Sequence, residues 1–222
     1  MAKKRKAWLH VGMPGVGDVL EPALAHHHGA LVELGVASVA RSTAESFRAA
    51  VEVMRSHREW GLERCDVEGE WARLVRRAEK SRADLAFSQP LLASATPEQV
   101  ALLSDALVGH QVHVVVTTGA DDESATLERW SRAVRKPARL HVIEVDGMEP
   151  EEVWQAFGKL AGFGTRSLRL DEVPRPVPAC RSLPEAMREL ERLARRNASL
   201  EVRLEEVDRK RRKLKRKLRQ AA

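Results

Sequence analysis

The sequence predicts an α/β protein: a three-layer fold with a parallel sheet and helices on both faces, followed by a long C-terminal α-helix. Three observations predict it. Short apolar runs alternate with amphipathic stretches from Trp8 to Ala161, the order of chained βαβ units. One run, His113 to Thr117 (HVVVT), is β-branched throughout its centre, as a central strand covered on both faces requires. After Pro184 there is no further Gly or Pro, and a heptad pattern with positions alternately three and four apart is filled mostly by Leu.

The elements follow in order. Trp8 to Met13 reads as a strand entering a turn at Pro14-Gly15. Val16 to Leu34 has helical periodicity and stops at Gly35, with Pro22 marking either its start or a kink. Val36 to Ala40 is a short apolar strand. Ser42 to Arg58 reads as a helix capped by Ser42 or Thr43, and Glu68 to Arg82 as a second. The latter carries Trp71, Leu74, Val75 and Ala78 on one face. Asp84 to Ser88 is a strand. Thr96 caps the next helix with Pro97 at its first position, and the pattern runs to Val108. After HVVVT come a helix over 123–134, a strand over 140–145 and a helix over 151–161.

Composition sets limits on function. The 222 residues suffice for one domain of about 150 residues with an appendage. No apolar stretch approaches the roughly 20 residues of a membrane span, and the run Ala7 to Val11 is too short for a signal peptide. The expectation is a soluble, cytoplasmic protein. Cys65 and Cys180 share no ligand spacing and read as buried or idle thiols.

The net charge of +6 is unevenly distributed. Residues 209–219 hold nine Lys/Arg and no acid; without them 29 basic residues face 32 acidic ones, or −3. Removing Lys3 to Lys6 as well leaves 25 against 32, or −7. The body is acidic and its ends are basic, so the overall charge does not imply a basic cleft. The expected organisation is a basic N-terminal tail (1–7), an α/β domain (8–165), a Pro-rich linker or strap (166–183) and a coiled-coil helix (184–222).

The C-terminal helix places Leu190, Asn197, Leu204 and Leu218 at heptad position a, with Arg211 the one charged a residue. Leu193, Leu200, Val207 and Leu214 fall at d. A single Asn at a commonly fixes register in a parallel dimer, and Asn197 suits that role. A homo-oligomer through this seam is therefore expected. The tip consists of Arg209, Lys210, Arg211, Arg212, Lys213, Lys215, Arg216, Lys217 and Arg219. Like charges three and four residues apart repel, so an anionic partner would steady it. No aromatic residue interleaves with them, so nucleic acid, if bound, would be bound without sequence preference.

The glycine-rich stretch WLHVGMPGVGDVL, Trp8 to Leu20, has the layout of a phosphate loop: strand, turn, helix. It contains no Lys, Arg, Ser or Thr, and it contains Asp18 near the helix start, where an acid caps well but opposes a bound anion.

LHVGMPGVGDVLEPALAHHHGALVELGV resembles the opening of the sulfotransferase family, particularly sulfotransferase-like proteins of actinobacteria. FSQPLLASATPEQ, VHVVVTTGADD and RLHVIEVDGMEPEEVWQAFGKLAGF are similar to later segments, so the likeness spans about Ala7 to Phe163. In that family a strand ending HVG-x-P-K-T-G-T-T forms a P-loop-like site for 3′-phosphoadenosine-5′-phosphosulfate. His10, Gly12, Pro14 and Gly17 match it. Gly15 stands in place of the Lys, and Val16, Asp18 and Val19 in place of the threonines. Gly119 stands near the Arg that grips the 3′-phosphate, followed by Ala120, Asp121 and Asp122; Ser124 falls near the family's Ser at that phosphate. Gln89 occupies a place where such proteins often carry a His.

The resemblance thus implies a vestigial donor loop at His10, Gly12, Pro14, Gly15, Gly17 and Asp18. Losing the Lys and the Arg removes two charge-assisted bonds of ~1.5–3 kcal/mol each. The expectation is a noncatalytic sulfotransferase-like scaffold with no cofactor. The alternatives are a divergent enzyme holding the donor by backbone amides, and a nucleic-acid-associated adaptor using both basic ends.

Other constellations read more plainly. His26, His27 and His28 point about 100° apart on a helix and form a solvated face. His110 and His113 have no partner identifiable from sequence, and Ser88 is a nucleophile only with a base beside it. The five tryptophans read as core or helix-face anchors.

Overall fold

The computed structural model describes residues 4–12, 19–119, 123–132, 134, 136–173 and 211. Residues 1–176 and 177–222 form separate compact units. In the second, Arg211 is described and is helical; the rest of the predicted coil, its seam and its basic tip lie outside the described residues.

In the first unit the order is β1 (Arg5–Gly12), α1 (Leu20–His26), α2 (His28–Glu33), β2 (Val36–Ser38), α3 (Thr43–Met54), α4 (Glu70–Ser81), β3 (Asp84–Ser88), α5 (Pro97–Asp105), β4 (His110–Thr118), α6 (Glu123–Ser131), β5 (Leu140–Glu144) and α7 (Pro150–Ala161). The strands form one all-parallel sheet in the order β2-β3-β1-β4-β5. The first crossover moves from β1 towards one edge, and its helices cover one face. The next three move back the other way, with their helices on the opposite face. A single crossover hand demands this placement.

Strand alternation divides the core in two. Ala7, Leu9 and Val11 of β1 join Leu85, Phe87, Val114 and Val116 under α3, α4, α5 and Trp130 of α6. Trp8 joins Ala86, Val115 and Ile143 under Leu20 and Leu24 of α1, Leu31 of α2 and Trp154 and Phe157 of α7. Each fully buried large side chain contributes about 1.5–3 kcal/mol relative to exposure. The predicted face of α4, Trp71, Leu74, Val75 and Ala78, is buried as one stripe.

Local chemistry fixes several boundaries. Ser42, not Thr43, caps α3: its Oγ accepts the Glu45 N–H at 3.2 Å. Thr96 and Gln99 form a reciprocal capping box with Pro97 at the first helical position. That helix ends at Asp105, short of Val108, which is 78% exposed. α3 likewise ends at Met54, where Arg55 adopts the left-handed conformation.

Other expectations are corrected. β1 begins at Arg5, three residues before Trp8, because its basic residues are anchored. The Arg5 guanidinium donates to the Ala78 and Glu79 carbonyls at the end of α4, and the Lys6 N–H donates to Asp84 Oδ1 at 2.8 Å. The sheet's middle strand is β1; His113–Thr117 falls in β4, an interior strand between β1 and β5, and Val114 to Thr117 are buried as expected. The single helix expected over 16–34 is two, joined at His27, whose backbone leaves helical values. The N-cap of α1 is Val19 with no side-chain cap bond, so the cap expected of Asp18 falls one residue later. His27 is buried rather than part of a solvated face: its Nε2–H donates to the Arg169 carbonyl at 3.0 Å. Residues 166–173 form a strap, with Leu168 and Val173 buried and the Trp154 indole donating to the Leu168 carbonyl at 2.9 Å. Trp60 is 49% exposed, edge-on to Phe47, and Cys65 is exposed.

Candidate functional site

In a parallel sheet, ligands meet the C-terminal strand ends where neighbouring crossovers diverge. Here that place is the end of β1, flanked by β3 and β4. Register sets His10 beside Ser88, and Gly12 beside Thr117. All four positions lie on the face covered by α1 and α7. The His10 Nδ1 is 2.7 Å from Ser88 Oγ, and its Nε2 is 3.0 Å from Thr117 Oγ1. One ring nitrogen donates and the other accepts, so one imidazole joins three strands.

This group is sealed. His10 has no exposed surface, and Ser88 and Thr117 are buried. Burial pushes the His10 pKa down to about 3, so the imidazole is neutral. Gly12 makes the arrangement possible: a Cβ there would fall 2.0 Å from Thr117 Oγ1. Gly12 therefore leaves room for the Thr117 side chain to approach the strand. Ser88 does have a base beside it, but the base's other nitrogen is engaged by a hydroxyl and the pair is closed to solvent. The geometry is that of a polar clasp.

A second group borders the clasp. Glu21, in the first turn of α1, accepts from Gln89 Nε2 at 2.9 Å and from the Ser46 hydroxyl. The Gln89 N–H donates to the His10 carbonyl at 3.2 Å. Across the edge, a Cβ on Gly119 would lie 3.3 Å from Asp146 Oδ1. The charged side chains that these contacts bring to the edge, Glu21 and Asp146, are both acidic.

Towards the other end of the sheet, His113 Nδ1 lies 3.0 Å from His141 Nε2, with the rings stacked. Trp8 packs beside both. Burial, then repulsion from His141 when that ring is charged and from Lys6 and Arg139, hold His113 down at about 4; burial, then Lys6, lowers His141 as well. His110 is buried with neither ring nitrogen bonded among the described residues, and burial lowers its pKa. No group of three His, Cys, Asp or Glu among the described residues could hold a metal ion.

Of the predicted loop, His10 and Gly12 are brought into the clasp. Pro14, Gly15, Gly17 and Asp18 lie outside the described residues, as do Asp121, Asp122 and the side chain of Ser124. Gln89 is buried and bonded to Glu21. Sequence reading missed Glu21, Ser46, Thr117 and His141. Thr117 carried one signal: it is a polar residue at the end of the most apolar strand.

The five strands define an all-parallel α/β domain in the order β2-β3-β1-β4-β5, and a glycine-rich stretch of sequence follows the central strand. No protein-family model matches the chain, sulfotransferase models included, and no curated protein matches it. Among solved structures, the tunicamycin resistance protein of Deinococcus radiodurans is similar at 13% identity over 72% of this chain and 98% of that chain, with a TM-score of 0.41. Among the described residues no helix is long and apolar enough to cross a membrane.

Proposed function

We propose that this chain is a noncatalytic sulfotransferase-like protein. Its α/β body is a scaffold, and its C-terminal helix pairs it with a second copy through the seam from Leu190 to Leu218. The basic tip then presents a doubled cationic surface to an anionic partner.

One observation carries the noncatalytic part. His10, the loop residue whose side chain could have served a donor, is neutral and consumed by Ser88 and Thr117. Glu21 and Asp146 supply negative charge at the same edge, where a phosphosulfate would need positive charge. Gly15 and Gly119 stand where the family's Lys and Arg would counter that charge. Under this reading no cofactor is required. The divergent-enzyme reading would leave the donor's charges to backbone amides opposed by two carboxylates.

Incubating the full chain with 3′-phosphoadenosine-5′-phosphosulfate and a panel of phenolic and sugar acceptors tests the reading. The expected sulfate transfer equals the uncatalysed rate. Multiple turnovers with any acceptor would refute it.

A further inference from the structure

A groove of about 830 Å³ runs between α7 and the 163–170 segment, away from the strand ends described above. Its size is that of a small-molecule site. It is built from fixed parts. Gly158 lacks a Cβ where one would fall 2.6 Å from Thr165 Cγ2 and 3.0 Å from the Phe163 carbonyl, so the turn after α7 closes directly on the helix. Further along, the Trp154 indole holds the Leu168 carbonyl, and His27 holds the Arg169 carbonyl. The segment therefore runs back along α7 at a set distance, with Trp154, Phe163 and Leu168 buried beneath it.

Charge is ordered along this groove. On α7 the lining residues Glu151, Gln155 and Lys159 recur every four positions, so they form one row. The row spans eight residues, about 12 Å at 1.5 Å per residue. Its acidic end is Glu151 and its basic end is Lys159. Opposite the basic end lies the turn Gly164-Thr165-Arg166-Ser167, which also lines the groove. Neither Lys159 nor Arg166 has an ion-pair partner among the described residues, whereas Arg169 is engaged by Asp171. The backbone N–H groups of residues 164–167 have no acceptor among the described residues either. Lys159, Arg166, Thr165, Ser167 and a run of open amides therefore line the same end of the groove. That is the donor set that holds a tetrahedral oxyanion.

We propose that this groove binds a small organic phosphate or sulfate ester. Lys159, Arg166 and Ser167 take the oxyanion, and the organic body lies along Gln155 towards Glu151. A hydroxyl or amine at the far end of the ligand meets the Glu151 carboxylate. The site goes beyond the scaffold reading: it uses a different surface and needs no chemistry at the strand ends.

The test titrates the full chain with phenyl phosphate, phenyl sulfate and inorganic phosphate, followed by amide NMR shifts. The expected result is saturable binding of a phenyl ester below about 1 mM (Kd from), with the largest shifts at Gly164 to Ser167 and Lys159. Inorganic phosphate alone binds more weakly, because it leaves the groove's length unfilled. Tighter phenyl phosphate than phenyl sulfate binding assigns the site to phosphate esters, and the reverse to sulfate esters. Lys159→Gln and Arg166→Gln each weaken binding about tenfold, while Arg166→Lys retains part of it. These side chains are exposed, so the variants keep the parent's thermal unfolding midpoint. Absence of saturable shifts with both esters overturns the proposal. So does binding that Lys159→Gln and Arg166→Gln leave unchanged.

Discussion

The His10 imidazole lies 2.7 Å from the Ser88 hydroxyl, both sealed beneath the C-terminal edge of the sheet. With Thr117 on the other ring nitrogen, the side chain that begins the glycine-rich loop ties β1 to both of its neighbours. A catalytic base must reach substrate; this one reaches only its own fold. Its replacement is therefore expected to be felt in stability. His10→Phe leaves the buried Ser88 hydroxyl without its His10 bond, at ~1–3 kcal/mol, so urea unfolding should show a loss of at least that size. Adding Ser88→Ala should recover much of it, since the orphaned hydroxyl is then removed with its partner. A His10→Phe chain as stable as the parent would contradict the clasp.

Acid should unfold the protein earlier than its carboxylates alone would. The folded-state pKa values of His10 and His113 fall from 6.5 to about 3 and about 4. Between those values and 6.5 the unfolded chain binds more protons than the folded one, so stability rises with pH. The contribution is complete above about pH 6.5 and is lost as pH falls towards 4 for His113 and 3 for His10. Urea midpoints at neutral and mildly acidic pH should show the decline, and His113→Asn should flatten it. An unchanged slope would contradict the neutral His113–His141 pair.

Gly12→Ala tests the close approach of Thr117. The new methyl meets Thr117 Oγ1 at 2.0 Å, so that side chain must leave His10 or the strands must part. Overpacking of this kind costs about 1–3 kcal/mol. Combining it with Thr117→Gly frees the space, so the two changes should be strongly non-additive in a double-mutant cycle. Simple additivity would mean that the two residues are not in contact.

The proposed seam is tested by sedimentation of the full chain against a chain ending at residue 182. The full chain is expected to be dimeric and the shortened one monomeric. Asn197→Leu should change the dimer's register or stoichiometry, since one polar a residue restricts both. Equal oligomeric states in the two chains would remove the C-terminal helix from assembly.

Much of the fold was legible where chemistry is local. Thr96-Pro97 and Ser42 announce helix starts because caps involve neighbours three residues away. Asp84–Ser88 is the strand its residues indicate. Arg5 and Lys6 read as a tail because their partners, the end of α4 and Asp84, are more than 70 residues distant. The clasp was hidden for the same reason. His10, Ser88 and Thr117 come from three strands, and only the sheet register sets them side by side. His27 looked like one of three surface histidines because nothing nearby shows that the Arg169 carbonyl needs a donor.

The most direct test of the noncatalytic reading is titration calorimetry with 3′-phosphoadenosine-5′-phosphate, the donor's product. It is best done on the Lys159→Gln, Arg166→Gln chain, so that the groove on α7 cannot supply the heat. The account predicts no saturable binding up to about 1 mM, or weaker than about −4 kcal/mol. Binding at micromolar concentration in that variant, about −8 kcal/mol, would contradict it and show that the strand ends still hold the nucleotide.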